Sequence, residues 1–464
     1  MGIGAARAGG VQDLTQGVIW RQLAAFALPF LFSNLLQQFY TTADAAIVGQ
    51  AVGAGGLAAI GSCDRLIGLL INFFLGVSTG ASIAVAQAFG RRSQQELHRV
   101  VHTSVALGIL SGLALTVIGV ALSPTLLRMM DTPEDVFPLA VHYIQVYFLG
   151  MIPSMVYNMG SGILRAMGNS QSALYYLLTA GIINIGLDLW FVVGLGWGTA
   201  GAAGATALSQ LLPAILVLRK LSQLEEGYRL QLRQIRLWRE ETAYIIRVGI
   251  PAGLRMVLIS FSNVIVQTKI NQFGLEAMAG VTLFFRLEGY LYMTVSAISL
   301  ALTSFCGQNI GAGNLSRLRQ GQRVATGMAL GISSLLILLL LVFTVPICSI
   351  FTRDPGAIYY ARLQILYLLP LYFIFTLNEV INGAVLSSGR SVTPMVISLF
   401  GMCVARLGFI YAGLWVVWDI RAIYLSFPFS WIVTHLLLQL YYHRGHWVQG
   451  QRLRDAIAGQ SAGN

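Results

Sequence analysis

Ala86-Gln87-Ala88-Phe89-Gly90 closes one long apolar run, and about 221 residues later Gly307-Gln308-Asn309-Ile310-Gly311 closes another. Other landmarks keep nearly the same step: Pro29 falls on Pro251, Pro124 on Pro346, Pro133 on Pro355, Gly162 on Gly383 and Gly168 on Gly389. The chain is a tandem repeat. Each half carries six apolar stretches, an even number, so both halves enter and leave on the same side of a membrane. The repeats are therefore parallel, not inverted.

Composition agrees. Hydrophobic residues make up 56% of the 464, charged residues 10%, and mean hydropathy is +0.72. A soluble domain does not read this way. A span needs roughly 20 mostly apolar residues to cross about 30 Å of hydrocarbon. Twelve stretches qualify, near 21-47, 57-83, 100-122, 136-158, 172-193, 199-219, 243-268, 279-305, 324-346, 357-381, 392-413 and 421-441. Backbone groups in hydrocarbon must pair internally, so these are helices. The expected fold is an all-α polytopic membrane protein. Its twelve transmembrane helices form two six-helix lobes related by a pseudo-two-fold axis along the membrane normal. The amino-terminal lobe spans 1-220, a cytoplasmic linker 221-242 and the carboxyl-terminal lobe 243-464. Repeated membrane bundles of this kind build secondary transporters, with the substrate site where the repeats meet.

Arg and Lys set the orientation. Alternate loops hold Arg7 and Arg21; Arg91, Arg92 and Arg99; Arg165; the run from Arg219 and Lys220 to Arg247; Arg317, Arg319 and Arg323; Arg390; and Arg444, Arg452 and Arg454. The opposite loops hold only Arg128, Arg353, Arg362 and Arg421, with Arg65 nearby. The positive-inside rule places both termini in the cytoplasm of a cell inner or plasma membrane protein. The net charge of +11 is mostly this bias. Positives spread over many short loops argue against nucleic acid as a partner.

Several other signals are expected to be structural. The first apolar run is too long for a signal-peptide core and lacks a small-residue cleavage site. Myristoylation fails because position 6 is Ala. Cys63, Cys306, Cys348 and Cys403 are scattered, without CxxC spacing, and read as buried thiols. Gly196-x-Gly198-x-x-Gly201 matches a nucleotide-binding pattern, but no βαβ context surrounds it. Its glycines suit a tight turn and close helix packing. The linker, rich in Arg, Glu and Gln (Glu225, Glu226, Arg229, Arg233, Arg236, Arg239, Glu240), is expected at the cytoplasmic face as an amphipathic helix that tethers the lobes.

Charges inside spans carry the functional signal, because an acid at mid-bilayer costs roughly 2.5–3.5 kcal/mol even on insertion scales. Gln37, Tyr40, Thr41 and Asp44 follow an i, i+3, i+4, i+7 spacing and share one face of the first helix. Asn184 and Asp188 lie one turn apart on the fifth. Two acids and an amide in a dry bundle suit a proton or a cation. The second half offers Arg255, Lys269, Arg286 and Arg406 at membrane depth, with Glu288 and Glu379 as the acids expected to pair with them. Ser260, Asn263, Gln267 and Asn271 form a polar stripe on the seventh helix. Met151, Met155 and Met159 recur every four residues and fit packing better than a drug pocket.

The chain resembles the multidrug and toxic compound extrusion (MATE) family of the flippase-like exporter superfamily. The matching stretches are Ala43-Asp44-Ala45-Ala46-Ile47-Val48-Gly49 through Leu57-Ala58-Ala59-Ile60-Gly61, then 86–90, Gly162 to Asn169 (GILRAMGN), Gly198 to Thr206 (GTAGAAGAT), Arg286-Leu287-Glu288 and 307–311. The resemblance is closest to the DinF-like and related bacterial branches. It implies a V-shaped central cleft and export of amphipathic, cationic organic compounds in exchange for H+ or Na+, with no other cofactor, by a monomer in the lipid bilayer. It also implies a cation-coupling set of Asp44, Tyr143, Asn158, Asn184, Asp188 and Thr206, with Na+ held at Asp44, Asn184 and Asp188. Gln37, Tyr40, Thr41, Asn263, Gln267, Glu288 and Glu379 are candidate cleft residues. The NorM-like branch carries an acid on the seventh helix; here that helix has Arg255 and Lys269 instead, and the tenth offers Glu379 between Asn378 and Asn382. The competing reading is a lipid or oligosaccharide flippase of the same superfamily, which often has extra spans and a more basic cavity. An enzyme is not expected. His98, His102, His142, His443 and His446 lie at span ends or in loops, and His435 stands alone in the last span.

Overall fold

The computed structural model describes residues 12–130, 132–225, 227–444 and Trp447. The readings made at Arg7, Glu226, His446, Arg452, Arg454 and the myristoylation position fall outside these residues, as does the Arg65 side chain. Seventeen α-helices follow one another in the described chain, without a strand. They are α1 (Ile19–Ala51), α2 (Ala54–Gly90), α3 (Gln94–Met129), α4 (Phe137–Leu149), α5 (Met151–Ala166), α6 (Gln171–Asp188), α7 (Gly198–Ser209) and α8 (Leu211–Ser222). The second half continues with α9 (Arg239–Asn271), α10 (Leu275–Gly311), α11 (Leu315–Val342), α12 (Thr344–Phe351), α13 (Pro355–Leu368), α14 (Tyr372–Leu386), α15 (Val392–Ser398), α16 (Arg406–Val416) and α17 (Ile420–His443).

Eleven helical segments are long and apolar enough to cross a membrane, and the pair α4 and α5, bent by 49°, makes a twelfth. The twelve match the twelve expected stretches one for one. Most run longer than expected. At 33 residues, α1 is about 50 Å long and outruns the hydrocarbon. Hydropathy sees only the part in lipid, whereas the helix continues into the headgroups.

The repeat is visible in the backbone. Ser93 caps α3 by accepting from the Glu96 N–H, and Asn314 caps α11 by accepting from the Arg317 N–H at the matching position. The residue just before each cap is left-handed, Arg92 at φ 57° and Gly313 at φ 70°. Gly168 and Gly389 end the fourth and tenth spans at φ 86° and 81°, a conformation that Gly adopts without penalty. Both of those spans are broken near their middles. Pro153 sits just past the α4–α5 bend, and Pro370 sits in the 3-10 turn Leu369–Leu371 between α13 and α14. A proline removes an i→i−4 hydrogen bond and clashes with the preceding turn.

The chain falls into two compact units. The first comprises 1–17, 25–253 and 311–313; the second comprises 18–24, 254–310 and 314–464. α1 and α9 thus each divide between units. The second unit's core is aromatic, with Tyr372, Phe375 and Trp431 in mutual contact. The first unit's core holds Met151, Met155 and Met159, each 3% exposed, so the methionine stripe is packing. Trp190, Trp197, Trp415 and Trp418 stand exposed at the far ends of the fifth and eleventh spans, as in an interfacial aromatic belt.

The linker departs from the expected amphipathic helix. Only Leu232–Gln234 forms a 3-10 turn before α9 begins. The reason is competition for backbone donors. The Gln231 N–H donates to His102 Nε2 at 3.0 Å and the Trp238 N–H to Thr103 Oγ1 at 3.4 Å, so α3 side chains take bonds a helix would need. Leu224, Tyr228 and Leu230 are buried in the same contact.

Within the first unit, α2 and the start of α9 touch through glycine. A Cβ on Gly80 would sit 2.5 Å from the Ile245 carbonyl oxygen, and one on Gly253 would sit 2.1 Å from the Phe73 oxygen. Small residues one turn apart let membrane helices meet backbone to backbone. Gly80→Val is expected to destabilise by roughly 1–3 kcal/mol through overpacking, read as a lower thermal midpoint in detergent. Gly327→Ala, with nothing within 4 Å, should leave the midpoint unchanged or raise it.

Candidate cation site and second-unit ion cluster

α1 and α6 approach because α6 lacks a side chain where α1 has a ring. A Cβ on Gly181 would lie 3.2 Å from Tyr40 Cδ1. One turn beyond Tyr40 on α1 is Asp44; one and two turns beyond Gly181 on α6 are Asn184 and Asp188. The ring contact therefore fixes where these three polar groups meet.

All three are buried: Asp44 is 8% exposed, Asn184 2% and Asp188 0%. The two carboxyl groups interact directly. Asn184 Nδ2 donates to Thr206 Oγ1 on α7 at 3.4 Å, which turns its carbonyl oxygen the other way. Asp44 Oδ1, Asn184 Oδ1 and both Asp188 carboxylate oxygens are then buried with no hydrogen-bond donor among the described residues. Such groups in a dry interior are strongly unfavourable unless a proton or cation satisfies them. Carboxylate and amide oxygens suit a hard cation such as Na+, and the donor set contains no sulfur or imidazole. Asp188 also ends α6, and the π-helical segment Leu189–Gly194 follows it directly. Such wide turns frequently occur at functional sites.

The other expected members take separate places. Tyr143 on α4 is buried and lies within electrostatic reach of Asp44. Asn158 on α5 lies beyond the 49° bend. Its side-chain N–H donates to the Ser154 carbonyl at 2.9 Å, and its backbone oxygen accepts from Ser78 and Ser161. Of the α1 face, Tyr40 is half-buried while Gln37 and Thr41 are exposed. Asp64 on α2 was not among the expected residues, yet it acts electrostatically on Asp44, Tyr143 and Tyr147. Its signal was available: it is a carboxylate seven residues into the second apolar stretch.

The second unit has the opposite sign. Arg255 pairs with Glu379 at 3.6 Å, each side chain 14% exposed. Asn382, with its amide oxygen assigned toward Arg255, accepts from both terminal nitrogens at 3.0 and 2.9 Å. Glu288 accepts from the Tyr372 hydroxyl at 2.7 Å rather than making a close pair with Arg406. Arg406 donates to Ser430 from Nε and Nη2 at 3.2 and 3.1 Å and to Asn263 from Nη1 at 3.1 Å. Lys269 lies 4.7 Å from the centre of the Tyr411 ring, and Arg286 is exposed. Gln267 donates to Asn271 at 2.9 Å. His435 shares a 2.9 Å hydrogen bond with Asn378.

Comparison with known proteins gives one consistent result. The MatE family model matches twice, over residues 29–190 and 251–412, once in each repeat. A probable multidrug resistance protein, YoeA of Bacillus subtilis (strain 168), is 29% identical over 93% of this chain and 95% of its own. A FAD transporter of Shewanella oneidensis is 25% identical over 92% of this chain and 94% of its own. A solved structure described as the outward-facing conformation of a multidrug resistance MATE family transporter of the MOP superfamily superposes with a TM-score of 0.87. It is 22% identical and covers 97% of this chain and all of the other.

Asp188→Asn replaces one of two apposed carboxylates with an amide that can donate to the other. It is expected to raise the thermal midpoint in detergent. It should also flatten the dependence of that midpoint on pH and on Na+ concentration. A midpoint that responds to both as strongly as in the wild type would mean the pair does not bind the ion.

Proposed function

We propose, from the premise that this chain belongs to the MatE family of membrane transporters, that it exports amphipathic, cationic organic compounds. Export is driven by H+ or Na+ entering at Asp44, Asn184 and Asp188, with alternating access of the substrate site. The observation that carries the reading is the set of four donorless oxygens buried between α1 and α6. A structural polar network would satisfy its own acceptors; these oxygens are met only when a proton is shared between the two carboxyl groups or a cation enters. The names of the two relatives support organic cargo, one a multidrug resistance protein and one a FAD transporter. The acids of the first unit favour positive charge. The protein resides in the cell membrane with both termini in the cytoplasm, the side to which the Arg-rich loops assign them.

The cation works by binding one orientation more tightly than the other, since equal affinity for both would shift nothing. The energy scale suffices. One charge moving down 100 mV releases about 2.3 kcal/mol, and each tenfold of cargo gradient needs about 1.4 kcal/mol. Tyr143 and Asp64 tune the field at the site, and Thr206 accepts from the Asn184 amide, which leaves the amide oxygen to the ion.

Proteoliposomes with an imposed pH or Na+ gradient test this. Asp44→Asn should abolish uphill export of a cationic dye while the protein remains folded and inserted. Asn184→Ala should weaken coupling and shift its ion dependence. Normal uphill transport by Asp44→Asn would remove the proposal. If Glu379→Gln abolished coupling and Asp188→Asn did not, the coupling site would lie in the second unit.

A further inference from the structure

The fifth span of each half breaks its α-helical winding, and each break adjoins one buried charge. In the first half, Asp188 immediately precedes the π-helical Leu189–Gly194; in the second, Arg406 immediately follows the π-helical Leu399–Ala405. The same helix thus presents an acid in one repeat and a base in the other. Arg406 is 3% exposed. No carboxylate among the described residues lies within ion-pair distance of it. Its partners are neutral: Ser430, Asn263 and the face of Phe427, whose centre is 4.5 Å away. These take three of the five guanidinium N–H groups. One N–H on each terminal nitrogen has no acceptor among the described residues.

Glu288 lies within electrostatic reach but spends its close contact on Tyr372. The neighbouring Arg255 shows what a satisfied arginine looks like here, held by a carboxylate and an amide oxygen together. Arg406 has the charge without that closure. Asn263, which accepts from Nη1, is itself exposed on α9. A polar amide exposed along a spanning helix does not suit hydrocarbon and marks a surface facing water or ligand.

We propose that Arg406, with Asn263 and Ser430, binds a carboxylate carried by the transported compound. The preferred cargo is therefore an amphiphile that carries a carboxylate as well as its positive charge. A planar guanidinium with free N–H groups on both terminal nitrogens matches a carboxylate's two oxygens. The inference deepens the reading of the chain as an exporter of organic amphiphiles and rests on it.

The test uses the full chain in phosphatidylcholine nanodiscs and a matched probe pair, Nε-dansyl-lysine and its methyl ester, which differ only in the carboxylate. Dansyl fluorescence reads binding at equilibrium. The wild type should bind the acid more tightly than the ester by on the order of tenfold, as expected for hydrogen bonds to a charged group. Arg406→Gln should bring the two affinities together with that of the ester unchanged. Asn263→Asp keeps the arginine but sets a carboxylate beside it, and should also remove the preference without emptying a buried position. A wild type without preference, or a preference that survives both substitutions, overturns the proposal. A preference that emerges only when phosphatidylglycerol is added also overturns it, assigning Arg406 to lipid. Because binding needs no gradient, the two readings fail separately. Uphill export of the ester with equal binding of both probes sinks the carboxylate site alone. Acid preference with no uphill movement of either probe sinks the exporter reading.

Discussion

A backbone N–H inside hydrocarbon has no water to turn to, and leaving it unpaired costs several kcal/mol. That constraint selects helices for all twelve crossings and dictates where they can be broken. Breaks in the fourth, fifth, tenth and eleventh spans coincide with proline or with π-helical turns, at Pro153, Leu189–Gly194, Pro370 and Leu399–Ala405. Helix ends fall where a side chain can stand in for the missing bond, as at Ser93, Asn314, Asp354 and Asp419. Close packing follows from the same economy of polar groups. Glycines let α2 meet α9 with no side chain between them, so dispersion substitutes for the hydrophobic effect that lipid removes.

Against that background a charge at membrane depth is costly and its surroundings are informative. The two units resolve the cost differently. In the first, Asp44 and Asp188 face each other, and no donor among the described residues reaches three of their four carboxylate oxygens. In the second, Arg255 is closed by Glu379 and Asn382 while Arg406 keeps donors free. Two repeats of one fold have thus diverged in the sign of the charge they bury on the fifth span. Fold is shared between them, and chemistry sits in the few residues grafted onto it.

The fold was largely legible in the residues. The number of spans, the repeat and the helix class come from hydropathy and landmark spacing, because the bilayer imposes its thickness on every segment alike. Asp44, Asn184 and Asp188 could also be singled out, since an acid or amide in an apolar run stands out without any knowledge of neighbours. Asp64 carried a similar signal. The linker misled for a different reason. Its charge pattern is amphipathic, but His102 and Thr103 on α3 claim its backbone donors, and those contacts cross more than a hundred residues of chain.

Partnership between spans was the part that sequence left open. Four cations and two acids in the second half allow several pairings. Only the packing of α9, α10, α14, α16 and α17 assigns Glu379 to Arg255, Glu288 to Tyr372, and neutral groups to Arg406. Periodicity fixes which side chains share a face of one helix. Which helix that face meets depends on crossing angles, and these are set by local features such as a missing Cβ at Gly181 or the bend at Gly150. The sequence alone determined that polar groups would be buried and on which helices. The tertiary structure decided which of them would be satisfied, because a hydrogen bond needs its partner within about 3 Å and only packing supplies that distance.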